Sequence, residues 1–253
     1  MTPLSSLREA AIADAIHLVY REAGVPDPGE RGGAAITPLD TLLAAFPLCC
    51  AEVPGLSRIS AVLHLQRLAP PFVAATPVPM DGDDGPLAGF LYAAPVEREP
   101  WGAILVERRD IVERRRFSVA HELGHYLLHF CPLVAHLDTD GHTSFVEGLG
   151  YPRHASRSSD EVSGSPLPEA RLLLTEDQPP AEELRARLEQ EANAFAAALL
   201  MPEPVCQRLV ARFGGSLSSA KRLASELLVS PAAMRVRLLD LGLLTDHGPE
   251  LLQ

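Results

Sequence analysis

Apolar positions along this chain follow two rhythms. Helical spacing of three and four residues runs through Phe117, Ala120, Gly124, Leu127 and Leu128 to about Phe130. Asp110 and Glu113 resemble a capping box at its start, and Pro132 supplies a stop. A second helix, rich in Ala and Leu, is predicted from Arg187 to Pro202. Two short unbroken apolar runs, Leu87 to Ala93 and Trp101 to Val106, read as strands of a hairpin packed under the first helix.

The remaining punctuation completes the pattern. Ser5 to Ala23 reads as an amphipathic helix. Thr37-Pro38 reads as a cap and first-turn proline, opening a helix to Phe46. A short strand follows at Leu48 to Val53, then a helix capped by Ser57 and ending near Leu68. Pro70 to Pro86 reads as a linker. After Pro202 three more helices are expected: Glu203 to Phe213, Ser218 or Ser219 to Leu228, and Ser230-Pro231 to Gly242. The last two resemble a helix-turn-helix, with Arg235 and Arg237 as candidate DNA contacts. The fold class is therefore α+β, mainly helical with a small sheet. Three regions are expected: an N-terminal helical region (1–70), a core (71–202) and a C-terminal helical region (203–253). Within the core, the polar, Ser- and Pro-rich stretch 138–180 reads as a long loop or lid.

Charge and cysteine content narrow the function. A net charge of −11 argues against broad nucleic-acid binding and suits a basic protein partner. The packing role for the C-terminal hairpin is favoured over DNA contact for the same reason. Cys49, Cys50, Cys131 and Cys206 form no C-x-x-C pair, so a cysteine metal site is not expected. Cys49 and Cys50 suit a strand or its edge. The start of the chain lacks a basic-then-apolar leader pattern, and no run is long enough for a membrane span. The reading is a cytoplasmic protein.

The chemistry lies in His121-Glu122-Leu123-Gly124-His125, an H-E-x-x-H pattern on the first helix. Positions four apart share a helix face, so both imidazoles can point at one zinc ion. Glu122 sits beside them as a candidate general base for a water on that metal, the arrangement of a zinc metallopeptidase. A third ligand is needed, and the second helix offers Glu189 or Glu191. These two are about 200° apart around the helix and cannot both face one metal. Glu189 is preferred because Asn193, four residues on, falls on its face and could support a ligand from behind. Glu191 stays open as the alternative. His129 lies one turn after His125, where it could come near the metal, and reads first as a core or surface residue at the helix end.

Two segments resemble the signature of the ImmA/IrrE metallopeptidases: Arg114 to His129, containing Arg116-Phe117-Ser118-Val119-Ala120-His121-Glu122, and Glu189 to Pro202, containing Glu191-Ala192-Asn193 and Leu199-Leu200-Met201-Pro202. A weaker likeness runs from Leu223 to Leu244. The resemblance implies a zinc-dependent, gluzincin-like site with His121, His125 and Glu189 as ligands and Glu122 as catalytic base. It implies cleavage of a DNA-binding repressor of helix-turn-helix type and release of gene expression. A longer gap than is usual for the family separates His125 from Glu189. The rival expectation is a regulator that binds a repressor, or DNA through its C-terminal helices, without cutting.

Overall fold

The computed structural model describes residues 3–29, 36–68, 84–96, 99–136, 145–150 and 181–244. A four-stranded mixed sheet forms the middle layer of an α+β fold. Its strands are β1 (Leu48–Val53), β2 (Leu87–Val96), β3 (Glu99–Glu107) and β4 (Phe145–Gly150), in the order β1-β3-β2-β4. β2 and β3 are the expected antiparallel hairpin, with Gly89 opposite Val106 and Val96 opposite Glu99. β1 runs parallel to β3, Leu48 opposite Gly102, and places Cys49 and Cys50 on an edge strand. Both cysteines are free thiols.

β4 corrects the reading of 138–180 as one loop. Residues 145–150 pair antiparallel with β2. The glycines at 148 and 150 hide the strand's pattern, because glycine carries no side chain to signal a buried face. The rest of that stretch, 138–144 and 151–180, lies outside the described residues, as does 70–83 of the expected linker.

Alternation along β2 and β3 sorts side chains onto two faces. Phe90, Tyr92, Ala94, Ala103 and Leu105 point to a smaller core closed by Leu56, Ala61 and Leu65. The last two belong to α3 (Arg58–Leu68), which Ser57 caps by accepting from the Ser60 amide, 3.3 Å. Leu91, Ala93, Ile104 and Val106 point to the main core. There they meet Ala120, Leu123, Leu127 and Phe130, spaced to form one helical stripe.

That stripe belongs to α4 (Val112–His125) and the turn that follows. Ile111, not Asp110, is the N-cap, and no side chain caps the helix. Asp110 instead pairs with Arg114, 3.1 Å, which removes it from the capping role. Nor does Pro132 end the helix. Tyr126–Phe130 form one π-helical turn, in which the Cys131 amide reaches back to the Tyr126 carbonyl. The chain then continues without a break as α5 (Cys131–His136), which carries Pro132 at its second residue.

Helices from both ends of the chain share the main core. α1 (Pro3–Glu22) contributes Val19 and Tyr20; α2 (Leu39–Leu43) contributes Leu39, Leu42 and Leu43. Thr37 does not cap α2. Its hydroxyl donates to the Leu199 carbonyl, 2.9 Å, and α2 stops short of Phe46. α6 (Ala181–Leu200) lays Phe195, Ala196, Leu199 and Leu200 into the same core. α7 (Glu203–Phe213), α8 (Ala220–Leu227) and α9 (Pro231–Asp240) complete it with Val205, Leu209, Leu223, Leu227, Met234 and Leu238. α9 is capped by Ser230, which accepts from the Ala233 amide. Among the described residues, no helix is long and apolar enough to cross a membrane.

Glu107 joins these layers just before α4. It is 6% exposed, and its carboxylate accepts from the backbone amides of Gly55, Leu56 and Arg109 at 3.2, 2.6 and 2.8 Å. Burial alone raises its pKa, but the three amides outweigh burial and hold it below the ordinary value of 4.5. A carboxyl with a depressed folded-state pKa stabilises the fold above its unfolded pKa, and that contribution is lost as pH falls through the folded value. Glu107→Gln should therefore cost about 1–3 kcal/mol at pH 7. In denaturant titrations the difference from wild type should shrink as pH is lowered below the ordinary carboxylate range. A constant difference at all pH values would contradict it.

Candidate metal centre

α4 and α6 cross at a point where α4 has little room for a side chain. A Cβ on Gly124 would lie 3.0 Å from Phe195 Cδ1 and 3.2 Å from Ala192 Cα. Gly124 and Ala192 thus let the two backbones meet, and the crossing brings the acidic face of α6 over the histidines of α4. His121, His125 and Glu122 are 0% exposed. Glu189 retains 28% of its side-chain exposure and forms the open side of the group.

The spacing is that of a metal site. His121 Nε2 and His125 Nε2 are 3.1 Å apart. Glu189 Oε2 lies 3.4 Å from His121 Nε2, and Glu189 Oε1 lies 3.4 Å from His125 Nε2. Ligands bound to one ion at about 2.0–2.1 Å in a tetrahedron stand about 3.3–3.4 Å from one another. Each carboxylate oxygen thus faces one imidazole nitrogen at close to that separation, and the two nitrogens stand slightly nearer to one another. Among the described residues, these three are the group that could hold a metal ion.

Hydrogen bonding turns both imidazoles the same way. Asn193 Oδ1 lies 3.1 Å from His121 Nδ1, so that nitrogen donates and Nε2 keeps its lone pair. Glu191 Oε2 lies 3.3 Å from His129 Nε2, which donates to it. His129 Nδ1 then accepts from His125 Nδ1, 3.0 Å away, and the lone pair of His125 Nε2 also turns inward. Burial, and then the neighbouring His125, push the His129 pKa down to about 4 against the pull of Glu191. A neutral His129 is the form this chain of bonds needs. The π-helical turn carries His129 directly under His125, with ring centroids 5.0 Å apart. Burial raises the Glu189 carboxyl, but positive charge and N–H donors on the imidazole side outweigh it and hold it well below the usual carboxylate range. Two imidazole nitrogens and a carboxylate facing one point are favourable with positive charge between them, which protons or a metal ion can supply. The donor set fits a small divalent metal.

Glu122 is placed by the sheet. A Cβ on Gly89 of β2 would fall 2.6 Å from Glu122 Oε1 and 3.3 Å from Ser118 Cβ. Only a glycine at this point lets the carboxylate lie against the strand, beside a shift in the β2–β4 register between Leu87 and Gly89.

The structure thus gathers His121, Glu122, His125, Glu189 and Asn193. It places Glu191 elsewhere, on His129. The His129–Glu191 pair was not anticipated. Its signal was the repeat His121, His125, His129 at four-residue intervals, which puts three imidazoles along one helix face. Gly89 left no such signal.

Residues 80–132 and 172–239 match the family described as IrrE N-terminal-like domain, Peptidase_M78. No curated protein matches the chain.

Single replacement of His121, His125 or Glu189 by Ala should remove bound metal from the protein after dialysis, as measured by elemental analysis. A variant that keeps a full equivalent would exclude its residue from the ligand set.

Proposed function

Since this chain belongs to the ImmA/IrrE metallopeptidase family, we propose that it is a zinc-dependent endopeptidase of gluzincin type. The observation that carries the reading is the triangle of His121, His125 and Glu189, with Glu122 buried one residue from His121. Two imidazole nitrogens and one carboxylate oxygen, with a position left open, are the donor set of catalytic zinc. Zinc bound there would supply a Lewis acid and lower the pKa of a water to about 7.

The chain's own residues do the rest. Glu122 takes a proton from the attacking water and delivers it to the leaving amine nitrogen as the peptide C–N bond breaks. Asn193 holds the His121 ring so that its Nε2 lone pair stays directed inward. Glu122 is fully buried on α4 against β2, and this exclusion of water strengthens its interaction with charge that develops nearby.

The substrate is a DNA-binding repressor of helix-turn-helix type, and its cleavage regulates gene expression. The net charge of −11 supports docking of a basic partner of this kind. The C-terminal helices serve as a buttress, not a DNA reader. Arg237, one candidate contact, donates through Nε to the Met201 carbonyl, 3.1 Å. Leu223, Leu227, Met234 and Leu238 are spent on the core.

Purified protein loaded with zinc should cut the product of a neighbouring repressor gene into discrete fragments. Glu122→Gln should keep its zinc and slow the cut by about 100- to 10,000-fold. Wild-type turnover by that variant would overturn the role given to Glu122. Zinc uptake with an intact repressor would favour a regulator that binds without cutting.

A further inference from the structure

Glu191 is held from three sides. Its Oε1 is 3.0 Å from Nε of Arg187, one turn earlier on α6, and 3.3 Å from Nε of Arg8 on α1. Its Oε2 is left for His129 Nε2, 3.3 Å away. His129 Nδ1 in turn meets His125 Nδ1 at 3.0 Å. Four side chains therefore run in an unbroken line from the N-terminal helix to one imidazole of the metal centre. Glu191 and His129 are mostly buried along it, at 17% and 5% side-chain exposure. Arg8 lies outside residues 80–132 and 172–239, so the outer end of this line is not part of the family match.

We propose that Arg8, Glu191 and His129 form a positioning relay for His125, through which the N-terminal helix holds one corner of the metal centre. This rests on the reading of His121, His125 and Glu189 as metal ligands. The relay works by geometry. Arg187 Nε donates to one carboxylate oxygen and Arg8 Nε faces the same oxygen as an ion-pair partner, and together they leave the other oxygen to His129. His129, so held, presents an acceptor to His125 Nδ1 and sets both its tautomer and its ring angle. With Arg8 removed, Glu191 keeps only Arg187, whose side chain is 45% exposed and rides on the same helix. The carboxylate can then swing away from His129, and His125 loses the partner that orients it.

The test is a double-mutant cycle on the full chain, read by zinc affinity in competition with a chromophoric chelator and by the visible spectrum of the cobalt-substituted protein. His129→Ala should weaken zinc binding by about 10- to 100-fold. Arg8→Ala should weaken it several-fold and alter the cobalt spectrum, yet add nothing in the His129→Ala background. Should His129→Ala fail to fold, Glu191→Gln takes its place in the cycle. The relay is overturned if Arg8→Ala binds zinc as wild type does, or if its effect is equally large without His129. A wild-type protein that takes up no zinc would overturn the metal-site reading itself, and the relay with it.

Discussion

Lone pairs that face one another repel, and this fold gathers three groups that do so, the two imidazoles fully buried and the carboxylate partly so. His121, His125 and Glu189 turn their acceptor atoms on one point at separations of 3.1–3.4 Å. In a low-dielectric interior, such an arrangement is stable only with positive charge at its centre. Protons could supply part of it. A divalent ion supplies all of it, and the three groups stand close enough to share one. Much else in the molecule serves to hold these atoms in place: the crossing of α4 and α6, the hydrogen bonds behind each imidazole, and the glycines that permit close approach.

Small residues carry much of that burden. Gly124 admits Ala192 and Phe195, and thereby sets how far Glu189 stands from the histidines. Gly89 makes room for the Glu122 carboxylate against β2. Gly102 on β3 does the same for the Tyr126 ring, where a Cβ would lie 3.1 Å from two ring carbons. Tyr126 is then anchored by its hydroxyl donating to the Pro100 carbonyl, 2.8 Å. The π-helical turn that starts at this tyrosine carries His129 into line with His125. Sheet, helix and site are thus tied by contacts that leave no space for a methyl group.

Much of this was legible in the sequence because local rules govern it. Helical periodicity put His121 and His125 on one face, and apolar runs marked β2 and β3. Ser57, Ser230 and Gly214 punctuate helices where capping chemistry says they should. What stayed hidden depends on contacts between distant segments. Glu189 and Glu191 sit on one helix, and only the crossing of α6 over Gly124 decides which faces which histidine. Thr37 looked like a cap, but a carbonyl 162 residues away took its hydroxyl. Pro132 looked like a stop, but the π-helical turn before it lets the helix pass through. β4 lay in a polar stretch whose two glycines erase the alternation that would mark a strand.

X-ray absorption of the zinc-loaded protein tests the central claim most directly. Two imidazole nitrogens and one carboxylate oxygen, with one further light atom, should surround the metal at about 2.0–2.1 Å. A sulfur scatterer at about 2.3 Å, or a shell with fewer than two imidazoles, would contradict it.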